Sequence, residues 1–240
     1  MTIVLPAVAE LKRLALDLLF PPWCIGCGKE SEYICPACRK TLKAITPPVC
    51  RRCGRPVLPE ETGLDYCQGC LNWQNTLDGL RAPFLFQGLA RNAVHELKYN
   101  NLRAISYEMA RMILDYYKIN PVPGDVLVPA PLHHKKKLER GYNQSGLLAR
   151  ELGRLSGLLV VENSLVRLKY APAQARSLTI KDRLENVSGA FTCRDDRLKN
   201  KKVILIDDVS TSGATLNACA AALKDNGASM VWGLTFALEL

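Results

Sequence analysis

A chain of 240 residues, 48% of them hydrophobic and 23% charged, has room for one α/β domain and a small appendage. That mixture excludes a disordered or collagen-like chain. The formal net charge of +9 makes polyanions, from small phosphates to nucleic acid, plausible partners and leaves the fold open.

Within residues 1–21, Leu11, Leu14, Leu18 and Leu19 recur at helical spacing, while Glu10, Lys12, Arg13 and Asp17 break any signal-type apolar run. The apolar stretch falls well short of the roughly 20 residues that cross a bilayer. The expectation is a short amphipathic helix packed on the protein, no membrane span, and a cytoplasmic location. Cysteine then divides the chain. Eight of the ten cysteines lie between Cys24 and Cys70, among several prolines and without a long helical pattern. Residues 22–75 read as a small loop-rich module, and residues 76–240 as a larger domain.

From about Gly79 the texture alternates between strands and helices. Gly79 to Gln87 reads as a strand, followed by helices over Leu89–Tyr99 and about Arg103–Tyr117. Val126–Val128 is a short strand stopped by Pro129 and Pro131, and a helix is expected from about Asn143 to Leu155. Leu158–Val161 and Val203–Ile206 are continuous apolar runs, the pattern of strands buried on both faces of a parallel sheet. Thr215–Lys224 reads as a helix that stops at Asn226-Gly227, and Val231–Ala237 as a last strand, with Trp232 and Phe236 as core aromatics. The fold class expected is therefore α/β with a parallel sheet, preceded by a cysteine-rich module. Cys193 and Cys219, isolated from the rest, read as ordinary buried thiols.

The eight clustered cysteines form four Cys-x-x-Cys pairs: Cys24/Cys27, Cys35/Cys38, Cys50/Cys53 and Cys67/Cys70. A two-residue gap lets one tight turn aim two thiolates at one metal, and two such turns complete a tetrahedral site suited to Zn²⁺. Taken in sequence the pairs make two Cys₄ sites, although spacing alone also permits an interleaved pairing. No secretory signal favours a disulfide framework instead. Sites of this kind leave no coordination position for substrate, so their role is structural or adhesive.

The segment Val203 to Thr215 carries the other chemistry. An apolar strand ends in Asp207 and Asp208, and the loop Val209-Ser210-Thr211-Ser212-Gly213-Ala214-Thr215 opens a helix. Successive backbone N–H groups at such a turn make an anion site. The hydroxyls of Ser210, Thr211, Ser212 and Thr215 add donors. The two carboxylates would repel a bare phosphate, so ribose hydroxyls or a nearby Mg²⁺ are their natural targets.

This segment resembles the phosphoribosyl pyrophosphate (PRPP) signature of type I phosphoribosyltransferases over its whole length. Val128-Pro129-Ala130-Pro131-Leu132, the following basic residues and Arg140-Gly141-Tyr142-Asn143-Gln144 look like the ComF version of the pyrophosphate loop. His95-Glu96-Leu97-Lys98-Tyr99 is similar to another ComF stretch. Gln174-Ala175 through Arg183, Asn186 and Phe191 resembles the family's mobile loop and the strand after it, departing from it at Arg176-Ser177-Leu178. The cysteine module is similar to the family's double zinc ribbon. The resemblance implies a type I phosphoribosyltransferase fold binding PRPP with Mg²⁺. Asp207, Asp208 and Arg140 would take the catalytic positions, and Lys135, Lys136 and Lys137 would join the loop residues as PRPP ligands. It also implies a role in natural competence, with internalised single-stranded DNA and other competence proteins as partners. An active phosphoribosyltransferase of nucleotide metabolism, or a PRPP-responsive regulator without turnover, are the alternatives.

Overall fold

The computed structural model describes residues 22–30, 32–57, 65–71, 76–169 and 189–240. The expected helix in residues 1–21 and most of the loop from Lys169 to Asn186 lie outside them. The strands are β1 (Gly79–Arg81), β2 (Phe84–Leu85), β3 (Val126–Pro129), β4 (Leu159–Val160), β5 (Leu165–Arg167), β6 (Phe191–Cys193), β7 (Lys202–Ser210) and β8 (Met230–Leu238). The helices are α1 (Pro36–Arg39), α2 (Gln68–Leu71), α3 (Gly88–Tyr99), α4 (Ile105–Ile119), α5 (His134–Arg140), α6 (Gln144–Ser156) and α7 (Ala214–Asp225).

The run Val203–Ile206 is fully buried because β7 is the central strand of a parallel sheet ordered β1-β8-β7-β3-β4, with β2 continuing along β8 beyond β1. Burial on both faces is what such a continuous apolar run requires. Alternate residues of β7 feed two cores. Ile204 and Ile206 pack with α3, α4 and α6, and Val203 and Leu205 pack with α7. The chain leaves β3 through α5 and α6 to reach β4 on one side. It leaves β7 through α7 to reach β8 on the other. Connections diverging from adjacent strands open a crevice at their carboxyl ends, where α/β sheets bind ligands. Pro129 of β3 lies opposite Ile206 of β7, which puts Asp207 and Asp208 at that crevice.

Several expectations need correction. Leu159 is 64% exposed, because β4 is a two-residue edge strand and not a run buried on both faces. The basic run after Pro131 is a helical turn, α5, closed by Gly141 at φ 80°. β5 and β6, an antiparallel ribbon off the main sheet, carry only three residues each, too few to show a periodicity. No helix among the described residues is long and apolar enough to cross a membrane.

The cysteine-rich segment packs into the larger core. Ile34 and Leu42 are buried in the same cluster as Leu97, Met109 and Phe236. The Ile45 and Leu85 N–H groups donate to the Pro83 and Lys43 carbonyls at 2.8 and 2.9 Å, and Leu80 N–H donates to Arg52 O at 2.7 Å. Arg81 extends this contact: its Nη2 donates to Arg51 O at 2.9 Å while its guanidinium lies 5.0 Å from the Trp232 ring centroid. Ile34→Ala should therefore lower the stability of the whole chain, by about 2–5 kcal/mol. Denaturant unfolding followed by tryptophan fluorescence and by far-ultraviolet dichroism should give one coincident, shifted transition. Separate transitions would mean that the cysteine segment melts alone.

Candidate functional site

The cysteines converge in sequential order. Cys24, Cys27, Cys35 and Cys38 form one group and Cys50, Cys53, Cys67 and Cys70 another, with the sulfurs of each group all within 4.8 Å of one another. The interleaved pairing is not the one formed. Cys27 and Cys35 Sγ are 3.8 Å apart, and Cys53 and Cys67 Sγ 3.7 Å. A disulfide needs about 2.05 Å. A tetrahedron of Zn–S bonds of about 2.3 Å separates its sulfurs by about 3.8 Å. The backbone turns with them: Gly28 and Gly54 take φ of 72° and 70° at the knuckle ends.

The electrostatics fit a dication. At Cys24, burial opposes ionisation, but backbone N–H groups of Cys35, Cys27 and Gly26 prevail and lower its pKa to about 6. The hydrogen bond with Cys35, burial and the neighbouring Cys24 then push Cys38 up to about 12. Burial and Cys50 do the same to Cys53, also to about 12, although the Arg55 backbone N–H works the other way. Cys24 and, in the second group, Cys50 thus ionise more readily than a free thiol, and a cation would favour the thiolates of the raised Cys38 and Cys53. These residues would hold Zn²⁺ as two closed structural centres. Cys53→Ser should lose the second metal and keep the first, giving one zinc per chain instead of two by elemental analysis of purified protein.

At the sheet's carboxyl edge the two aspartates face different neighbours. Asp208 is buried, and its Oδ1 accepts from Lys98 Nζ at 2.8 Å; Oδ2 has no partner. Asp207 Oδ1 accepts from Ser145 Oγ at 2.7 Å and from the Asp208 N–H at 2.9 Å. Burial and the adjacent Asp208 raise the Asp207 pKa to about 6. For Lys98, burial works to lower the pKa, and the carboxylates of Asp208 and Asp207 outweigh it and raise it.

Two motifs read separately in the sequence interlock around this pair. Tyr142 Oη donates to Leu97 O, the Arg140 guanidinium lies 5.6 Å from the Tyr99 ring, and Arg103 stacks on Tyr142 at 4.6 Å. Arg140 Nη1 donates to Gln144 Oε1, next to the Ser145 that holds Asp207. A closed line of contacts results, running Asp208, Lys98, Tyr99, Arg140, Gln144, Ser145 and Asp207.

The basic run divides. Lys135 and Lys137 are exposed, whereas Lys136 is half-buried, and burial together with Arg167 and Arg140 lowers its pKa. His133 is buried and its Nδ1 accepts from the Lys135 N–H at 3.3 Å. Arg167 leans on Phe191 at 5.4 Å, and its Nε donates to Lys169 O. Burial lowers its pKa, with Cys219 and Asp207 opposing.

In the turn after β7, Ser210 is buried with its Oγ unpartnered. Val209, Thr211, Ser212, Gly213 and Thr215 are half-buried, and Ala214 is buried. Gly213, at φ 74°, opens α7 with no side-chain cap of its own; the Ala214 N–H donates to Ser212 Oγ at 3.4 Å, and the next first-turn N–H groups have no partner within the helix. Lys98 and Arg167 are the site residues that sequence reasoning missed. Lys98 stood inside a family-like stretch, and nothing in the pattern set it apart from a surface lysine.

Class follows from these parts: a parallel α/β domain with two Cys₄ centres at its amino-terminal side. Residues 15–71 match the double zinc ribbon domain family. The chain is 28% identical over 226 residues to competence protein F of Haemophilus influenzae, covering 88% of this chain and 95% of that one. It is 29% identical over 206 residues to competence protein ComFC of Bacillus subtilis, covering 83% and 81%. It is also 27% identical over 238 residues to the DNA utilization protein YhgH of Salmonella typhi, covering 95% and 96%. Over most of its length the chain is thus similar to proteins of the ComF type. Among solved structures it is similar to a B. subtilis glutamine PRPP amidotransferase, at 15% identity and a TM-score of 0.41. That match covers 59% of this chain and only 30% of the amidotransferase, a likeness too slight to carry weight.

Asp207 carries a charge that the fold holds at a cost in stability. Its folded pKa of about 6 lies above the ordinary 3.8, so the folded state is penalised as pH rises between those values, and fully above about 6. Asn keeps the Oδ1 acceptor for Ser145 and the Asp208 N–H without the charge. Asp207→Asn should therefore melt at or above the wild-type temperature at pH 7. The difference should fade as the pH falls below the aspartate range. A lower melting temperature at pH 7 would mean that the charge stabilises the fold.

Proposed function

We propose that the crevice binds PRPP with Mg²⁺, and that the protein uses this site in the cytoplasm to handle internalised single-stranded DNA during natural competence. One observation carries the reading: an acidic pair and a hydroxyl-glycine turn that opens a helix stand at the divergence of β3 and β7, with Lys98, Lys136, Arg140 and Arg167 nearby. Asp207 accepts from ribose hydroxyls, and the N–H groups and hydroxyls of Thr211 to Thr215 take the 5′-phosphate. Lys136 and Arg140 neutralise the pyrophosphate, with Lys135 and Lys137 further out. Mg²⁺, held near the acidic pair Asp207 and Asp208, would offset the charge of the pyrophosphate. The relatives' names, competence protein and DNA utilization protein, support the direction of the reading.

In this reading residues 1–21 form a helix, 22–75 the double zinc ribbon and 76–240 the phosphoribosyl domain, and other competence proteins are partners. Turnover is the second reading, favoured by the concentration of cations where a leaving pyrophosphate would gather charge. Lys136 and Arg140 would then stabilise the departing group, and Asp207 would hold the ribose.

Calorimetry of zinc-loaded protein with PRPP–Mg²⁺ and with a single-stranded oligonucleotide tests both. PRPP should bind, and Asp207→Asn should weaken it by about ten-fold or more, the loss of a charge-assisted hydrogen bond of roughly 1.5–3 kcal/mol. Lys136→Met should weaken binding more than Lys135→Met or Lys137→Met. DNA affinity should fall steeply with salt. Absence of PRPP binding would sink the assignment of the crevice, and pyrophosphate release with an acceptor base would establish turnover.

A further inference from the structure

Tyr99 ends α3 and is 62% exposed, although both of its neighbours along the chain of contacts are fixed. The residue before it, Lys98, is anchored on Asp208 at 2.8 Å, and Leu97 O accepts from Tyr142 Oη. The last turn of α3 is thus pinned from two sides, and the ring it presents has few rotamers to lose on binding. His95, one turn earlier, braces the ring at a centroid distance of 4.9 Å and a tilt of 46°. Arg140 stands 5.6 Å from the ring centroid, near the outer limit of about 6 Å for a cation–π contact. With both neighbours in place the residue is still more than half exposed.

A rigid, open aromatic beside a line of cations suits a ligand that alternates flat rings with phosphates. Arg140, Arg103 and Lys136 supply that line. Arg103 stacks on Tyr142 at 4.6 Å and is held through Nε by Asn101 Oδ1 at 3.0 Å. We infer that Tyr99 is a nucleobase platform at the mouth of the crevice, seating a base of single-stranded nucleic acid while Arg140 meets the adjoining phosphate. The inference rests on the PRPP and single-strand reading of the same crevice, and it names the residue that makes contact with bases. Base–aromatic stacking is sequence-tolerant because every base has a π-face, so the platform selects single strands over duplex without reading sequence.

The test compares a short labelled oligothymidylate with an abasic strand of equal length and charge, by fluorescence anisotropy on the zinc-loaded full chain. The readout is the ratio of the two affinities. Wild-type protein should prefer the base-bearing strand by about ten-fold or more, the measure of one stacked base. Tyr99→Ala and the bulkier Tyr99→Leu should both bring the ratio close to one, and Tyr99→Trp should restore it. A ratio unchanged in Tyr99→Ala, or near one in the wild type, or no binding of either strand, overturns the platform. Calorimetry of wild-type protein with PRPP–Mg²⁺ separates the two claims: PRPP bound with a ratio near one refutes the platform alone. No PRPP binding refutes the reading of the crevice beneath it.

Discussion

An aspartate withdrawn from water at the end of a central strand must find a cation or give up its charge. Asp208 finds Lys98, and the rest of the crevice is arranged around that ion pair. The lysine reaches it only because α3 packs Leu97 flush into the core beneath, with Ala93 and Val94 one turn earlier on the same face. Removing one partner of such a pair typically costs about 3–5 kcal/mol, since the other is left buried and uncompensated. Lys98 is thus held by folding energetics as much as by any ligand. With Asp208 paired to Lys98, Asp207 is left as the carboxylate on the crevice side, tuned by its neighbour and by Ser145.

The same economy appears at the cysteine clusters. Each group has one thiol, Cys24 or Cys50, whose pKa is lowered by backbone N–H groups, while a hydrogen bond with Cys35 raises Cys38 and burial raises Cys53, so the fold prepares one ligand in each group and a cation would recruit the raised ones. The clusters are also more than an appendage. Ile34, Leu42 and Ile45 enter the two cores of the α/β domain, and Arg39 and Arg111 make ion pairs between the cysteine segment and α4, with Asp115 and Glu32.

How much of this was legible in the residues depends on the length of each signal. The long buried strands and the helices α3, α4 and α6 announce themselves through apolar runs and periodicity, and the Cys-x-x-Cys pairs through spacing. β4 misled because its four apolar letters look like a buried strand, yet only Leu159 and Val160 pair, at an edge. α5 was hidden by its lysines, which read as a charge run. Their separation into exposed and half-buried members depends on where α5 sits, which no local pattern records. Lys98, Arg167 and Tyr99 were invisible as site residues for a related reason. Each acquires its role from a partner distant in sequence: Asp208, Phe191 and Arg140.

The contact between the second cysteine knuckle and the sheet has a consequence of a different kind. β8 pairs with β1 and β2 on one side, and the far sides of those short strands meet the backbone of Arg52, Lys43 and the Ala44 bridge to Phe84. The metal-bound segment therefore serves as the cover of an otherwise open sheet edge. Unpaired edges are templates for association with other chains. Zinc limitation would then bare that edge, and self-association through it should accompany the loss of stability of the chain as a whole.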